Sequence, residues 1–416
     1  MLAACTHGPT TGTLPERTFN VRQFGALGDG KTKDTAALQK ALDACIGGGK
    51  VLLPPGDYLS GSLQMYSNTI LYLSDGATLH GSPDAADYPI IPLRFEGAAV
   101  QGHQALISAT DADNIGIEGP GTLQGDEKIG DLRSPRAPVM VEFTNCKNIR
   151  LIDFKDRYRR MWSIHLLFCD HVLAQGLHIR TTLNNGDGID VESTTNVHVD
   201  HCDMDTGDDC IALKSGRGAD GVRIGRPTEH VLITDCKLGS HFAGVALGTE
   251  MSGGVRDVAI RRCEFTRGAN SIFIKSRIGR SGYMTDVDAS DLTSSATTLL
   301  GIDLINKGIV GADPVPGDAG VPLAANIRIA HAKCNDVGWI VDGAHISPIK
   351  PLEGLMLSDI TGTAKRGIYL ENVKNAALSD IHVAVSQGVL LNIRNVSGTG
   401  LEGAVPLPPP ATKPGK

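Results

Sequence analysis

A short phrase recurs along this chain: one polar residue or glycine, then a stretch in which apolar side chains alternate, then a polar corner. It reads Asn114-Ile115-Gly116-Ile117, Asn148-Ile149-Arg150-Leu151, His171-Val172-Leu173-Ala174, Asn196-Val197-His198-Val199 and His230-Val231-Leu232-Ile233. It returns as Asp257-Val258-Ala259-Ile260, Asn326-Ile327-Arg328-Ile329, Gly354-Leu355-Met356-Leu357 and Asn375-Ala376-Ala377-Leu378. Several of the intervals are 21 to 25 residues, and the longer ones leave room for loops. Alternation of this kind marks strands. A unit of that length cannot bury a core alone and must stack on its neighbours. Short strands between Gly, Asn and Asp corners therefore predict an all-β solenoid, a parallel β-helix. The clear helical pattern comes early, from Thr35 to Cys45, with Leu38 and Leu42 at i and i+4 and Asp34 as its cap. It is read as a short helix covering the open N-terminal end, where strand edges would otherwise be exposed.

Stacking also explains the length, since 416 residues would usually mean two or three domains. The expected division is a tether over 1–17, the β-helix over 18–400 and a Pro-rich disordered tail over 401–416. Fifty glycines and only 4% aromatics suit tight corners and small stacked side chains. The nine cysteines show no C-x-x-C pair and no Cys/His zinc spacing. Cys146, Cys169, Cys202, Cys236, Cys263 and Cys334 fall at equivalent repeat positions and are expected to be small buried hydrophobes. A net charge of -7 leaves no broad basic surface for nucleic acid, but a local basic pocket can still bind an acidic substrate. No stretch is apolar and long enough to span a bilayer. Leu2-Ala3-Ala4-Cys5 resembles a bacterial lipobox; that reading makes Cys5 a lipidated membrane anchor in the cell envelope, periplasmic or extracellular, and the alternative is a chance match.

Function is concentrated in four segments: Asn185-Gly186-Asp187, Gly207-Asp208-Asp209, Ser240-His241-Phe242 and Phe273-Ile274-Lys275. Any one of them reads equally well as a turn. Asp187 and Asp208, however, are 21 residues apart, about one coil. In a parallel stack they lie on adjacent rungs, roughly 5 Å apart along the axis. Asp209 reaches the same face, and His241 and Lys275 follow on later coils. Two carboxyls can divide glycosidic cleavage between protonating the leaving oxygen and activating water. A lysine can hold a substrate carboxylate as a point charge.

At these residues the chain resembles the polygalacturonase family of pectin-cutting enzymes, glycoside hydrolase family 28. Its motifs read Asn-Thr-Asp, Gly-Asp-Asp, Gly-His-Gly and Arg-Ile-Lys. Asn185-Gly186-Asp187 matches the first with Gly for Thr, and Gly207-Asp208-Asp209 matches the second in full. His241 and Lys275 are kept from the third and fourth. Phe19-Asn20-Val21-Arg22-Gln23-Phe24-Gly25-Ala26 with Gly28-Asp29-Gly30 is similar to the family's N-terminal signature, and Gly248-Thr249-Glu250-Met251-Ser252-Gly253-Gly254 to a stretch common in bacterial members. The likeness covers roughly residues 18–395. It implies a right-handed parallel β-helix and inverting hydrolysis, without cofactor or metal, by a monomer acting on pectic poly- or oligosaccharides. Asp208 would be the general acid, Asp187 and Asp209 would activate water, His241 would tune the acid, and Lys275 would hold a galacturonate carboxylate, with Asn185 beside the acid–base set.

The missing arginine at Phe273 removes a bidentate carboxylate clamp. Arg277 and Arg280 are candidates to replace its charge, and Lys214 and Arg217 also follow the Asp pair closely. Phe273 either stacks on a sugar face or serves as an ordinary strand residue. Trp162 and His165 either line the groove or pack in the core, and Arg157, Arg159 and Arg160 form a basic cluster nearby. Rhamnogalacturonan stays open as the substrate beside homogalacturonan. A calcium-dependent pectate lyase and a non-catalytic β-helical binding module are the rival readings.

Overall fold

The computed structural model describes residues 17–126, 129, 135–157, 161–306 and 313–406. Cys5, Arg159 and Arg160 lie outside these. The chain forms a right-handed parallel β-helix. In it a 32-stranded sheet is built by pairing each strand with its counterpart one coil away.

The recurring phrase maps onto one continuous column. Ile115 pairs with Ile149, then Val172, Val197, Val231, Val258, Val287, Ile327 and Leu355 in register. Each is at most 2% exposed. Burying a side chain of this size is worth about 1.5–3 kcal/mol, so the column is a main source of cohesion between coils. The polar residue opening each phrase has a backbone reason. Asn114, Asn148, His171, Asn196, His230, Asp257, Asn326 and Asn375 all have φ between 52° and 57°. That left-handed conformation is tolerated best by Asn, Asp and His among residues with a side chain. Asn148 donates to Asn114 at 3.1 Å and Asn114 to Asn68 at 2.9 Å, so the corners also ladder.

The six repeat cysteines are buried and free. In five of them, all but Cys334, the thiol lies over the carbonyl two residues back, as in Cys202 Sγ to Asp200 O at 3.4 Å and Cys236 Sγ to Thr234 O at 3.1 Å. The corner thus uses cysteine as a small hydrophobe with a weak donor.

The capping helix α1 spans Thr35–Ala44 and buries Leu38, Ala41 and Leu42 against the first coil. Asp34 does not cap it. Its carboxylate instead accepts from the Leu27 and Gly28 amides at 2.7 and 2.9 Å, tying down the preceding loop. At the other end Val405–Pro406 still pairs with Asn392 and Ile393, so the ordered coil runs past residue 401 where the tail was expected to start. No helix among the described residues is long and apolar enough to cross a membrane.

One element leaves the solenoid. Ile90–Phe95 and Ala98–His103 form an antiparallel hairpin. It lies over the outward face of the sheet that carries the acidic corners, and it is docked at its tip on a short helix, α2, Gly218–Ile224. Arg94 ties it there, with Asp220 at 3.1 Å and Glu192 at 3.6 Å.

Candidate active site

Asp187 and Asp209 occupy the same corner on adjacent coils. The Ser163 amide donates to Asp187 O at 2.9 Å and the Gly188 amide to Asp209 O at 3.0 Å, which stacks the three rungs. Asp208 projects from the same turn. One carboxylate oxygen from each of Asp187, Asp208 and Asp209 lies within 4.8 Å of the other two. The sequence departure at Gly186 has a steric cause: a Cβ there would sit 2.7 Å from Leu183 O. At Gly207 the same test gives 2.2 Å to that carbonyl, so no side chain fits either turn. Ser240, where the family motif has glycine, donates to Asp208 O at 2.5 Å and accepts from the Phe242 amide at 2.7 Å. It pins the acidic corner to the next coil.

The three carboxyls sit in different environments. Asp208 is half-buried and accepts from the Asn185 and Asp209 amides at 3.2 and 3.1 Å. Asp209 is buried, which pushes its carboxyl upward, with the Lys275 ammonium at 2.8 Å opposing the shift. Asp187 is pushed well above the usual carboxylate range, first by burial and then by the neighbouring charge of Asp190. Of the two buried aspartates, Asp187 is thus driven further from ionisation than Asp209.

These groups line a cavity of about 360 Å³. Lys275 borders it with its ammonium 4.4 Å from the Phe242 ring and 5.6 Å from the Phe273 ring. Phe273 belongs to the outward-facing row, since Ile272 and Ile274 on either side are buried inward. It leans on Phe242, with ring centroids 5.8 Å apart. Phe242, 40% exposed, lines the pocket. His241 is exposed and is not among the lining residues, so its expected tuning contact is not made in this structure.

Arg217, Arg277 and Arg280 all reach the wall. Arg280 is buried against Glu250 at 3.4 Å and Arg217 faces Glu96 at 3.8 Å. Lys214 also lines the pocket, and it is held there by ion pairs. Its Nζ is 2.6 Å from Asp190, 3.7 Å from Asp187 and 3.9 Å from the centre of the Trp162 ring, and it is 5% exposed. Trp162 is 1% exposed, packed on Phe95 and His165, and acts as a wall under Lys214 rather than an open sugar platform.

The charged partners of several residues escaped the sequence reading. Glu250 is held down to about 2, burial being overcome by Lys214 and Arg280. Glu142, His165 and Asp190 are aligned by strand register, and Glu192 and Lys214 form the next row. Such outward positions would normally face water; the hairpin roofs them. His165 bridges Glu142 at 3.0 Å and Glu192 at 3.3 Å and is raised to about 9, those carboxylates overcoming the opposing effect of burial. The available signal was one histidine in the otherwise apolar Ile164–Leu167 and carboxylates at alternate positions in Ile189–Glu192.

A divalent cation would accept oxygens spaced like those of the three aspartates, but calcium asks for six or more. Two ammonium groups, Lys214 and Lys275, already supply positive charge there.

A family model described as "Glycosyl hydrolases family 28" matches residues 50–307. A probable polygalacturonase of Vitis vinifera is 32% identical over 291 residues, 65% of this chain and 59% of the relative's own length. A solved exopolygalacturonase from Thermotoga maritima superposes with a TM-score of 0.77 at 25% identity, covering 91% of this chain and 93% of that one. A family 28 exopolygalacturonase from Yersinia enterocolitica gives 0.79 at 20% identity, over 92% and 78%, a likeness of fold. Plant and bacterial proteins thus both match, and the bacterial-type label is not distinguished.

Proposed function

The chain belongs to glycosyl hydrolases family 28, and from that premise we propose that it hydrolyses galacturonosyl linkages in pectic chains, removing units from a chain end. The observation that carries the hydrolytic reading is the convergence of Asp187, Asp208 and Asp209 beside Lys275 in one pocket. Asp208, nearest to solvent, protonates the leaving oxygen. The buried pair Asp187 and Asp209 activates water. The carboxyl oxygens approach more closely than the roughly 6.5–9.5 Å of an inverting pair. Neutralisation by the two lysines permits this, and inversion rests on the family likeness.

Action at a chain end is supported by the hairpin. Corner residues before Asp187, such as Val139, Met140 and Trp162, are buried, whereas His241 and Phe242 beyond it are exposed. A groove covered on one side of the acids and open on the other admits an end, not the middle, of a polymer. The exopolygalacturonase likeness agrees. A substrate too large to cross a membrane also places the protein outside the cytoplasm, and Cys5 is the proposed anchor.

The test is a time course on homogalacturonan and rhamnogalacturonan. Monomer appearing from the start, with little loss of viscosity, is the expected result on homogalacturonan. Early mixed oligomers would overturn end action, and release from rhamnogalacturonan alone would overturn the linkage.

A further inference from the structure

We propose that Asp190 and Lys214 are a positioning pair for Asp187: Lys214 supplies the positive charge that lets Asp187 act as a base, and Asp190 holds and partly neutralises that charge. The inference rests on the hydrolytic reading and extends it to the two groups packed behind Asp187. Lys214, at the pocket wall, lies against Asp190 at 2.6 Å, Asp187 at 3.7 Å and the Trp162 ring at 3.9 Å. Strand register fixes the arrangement, because Asp190 and Glu192 of one coil pair with Ala212 and Lys214 of the next. Asp190 is fully buried. The charged groups facing the pair are Glu250 toward Lys214, His165 and Asp209 toward Asp190, and Asp208 and Asp209 toward Asp187. Lys275 is committed to Asp209 at 2.8 Å. Lys214 is therefore the ammonium nearest to Asp187, and its effect there depends on how much of its charge Asp190 cancels. An opposite charge at about 4–6 Å shifts a carboxyl by about 1–3 pH units.

Two substitutions should act in opposite directions. Asp190→Asn keeps shape but frees the Lys214 charge, so the acidic limb of the kcat/KM profile should move down by about one pH unit. Lys214→Met removes the charge, so that limb should move up by a similar amount and kcat at neutral pH should fall, with KM changing less. If Lys214→Met fails to fold because Asp190 is left unpaired, the double variant Asp190→Asn/Lys214→Met isolates the lysine, and its limb should lie above that of Asp190→Asn alone. Limbs that stay in place, or move the same way in both single variants, would overturn the proposal. The protonated carboxyl of Asp187, followed by pH-difference infrared spectroscopy and assigned by Asp187→Asn, should shift in parallel. That readout needs no substrate, so an inactive protein with opposite infrared shifts would sink the hydrolytic reading and leave the pair intact.

Discussion

Lys275 donates to Asp209 at 2.8 Å, so the lysine expected to grip a substrate carboxylate is, in the free protein, the counter-ion of an acid–base residue. Both roles would be lost together in Lys275→Ala. Charge-assisted hydrogen bonds are worth about 1.5–3 kcal/mol, roughly one to two decades in rate or affinity. The expected outcome is a kcat loss on acidic and methyl-esterified oligomers alike, from Asp209, and an additional rise in KM on the acidic ones. Measuring kcat and KM separately on the two substrates tests this. Equal effects throughout would mean that Lys275 serves Asp209 alone.

Asp208→Asn should abolish hydrolysis by on the order of 10²-fold or more while leaving the fold unchanged. The Asn185 and Asp209 amides donate to different oxygens of Asp208, so the variant keeps one of these bonds and loses the other at a half-buried position, a modest cost to the fold. Reducing-end release and circular dichroism decide the matter, and near wild-type turnover in a folded variant would reassign the acid. Asp187→Asn is the informative companion, because it replaces the carboxyl that burial and Asp190 push well above the usual range.

Much of this was legible from the chain. The repeat, its φ-positive corner residues, the thiol positions and the acidic cluster follow from local rules about strands, turns and burial. What was not legible depends on distant segments meeting. Nothing near Glu142, His165 or Asp190 signals that residues 90–103 will cover them. The Asp190 partner of Lys214 was hidden because register between coils sets it. His241 kept its motif position yet stays at the exposed surface, while Ser240 and Phe242 beside it make the contacts.

The hairpin yields a prediction of its own. Replacing residues 93–100 by a tight turn removes Arg94, Phe95 and Glu96, and with them the ties to Asp220, Trp162 and Arg217. If the hairpin closes the groove, the product pattern should shift from monomer toward mixed oligomers, and viscosity should fall earlier. Water reaching Glu142, His165 and Glu192 should also bring the His165 titration down from about 9 toward its ordinary range, visible by NMR. An unchanged product pattern in a folded variant would remove the hairpin from the account of end action.

A last prediction concerns stability. Asp156 is fully buried, in register between Leu123 and Ile179, where neighbouring coils present apolar side chains. Neither of its oxygens has a hydrogen-bond partner among the described residues. Burial pushes its carboxyl up to about 8, with the Ser163 hydroxyl opposing part of that shift. An unfolded Asp releases its proton near pH 3.9. Between about pH 4 and 8 the folded state thus binds one proton more than the unfolded state, and stability falls as pH rises through that window. Asp156→Leu should remove the dependence and extend the aliphatic stack. The variant's gain in urea midpoint should be small at pH 4, grow through pH 7 and level off above pH 8. A gain that does not grow with pH would mean that Asp156 is ionised and partnered in the folded protein.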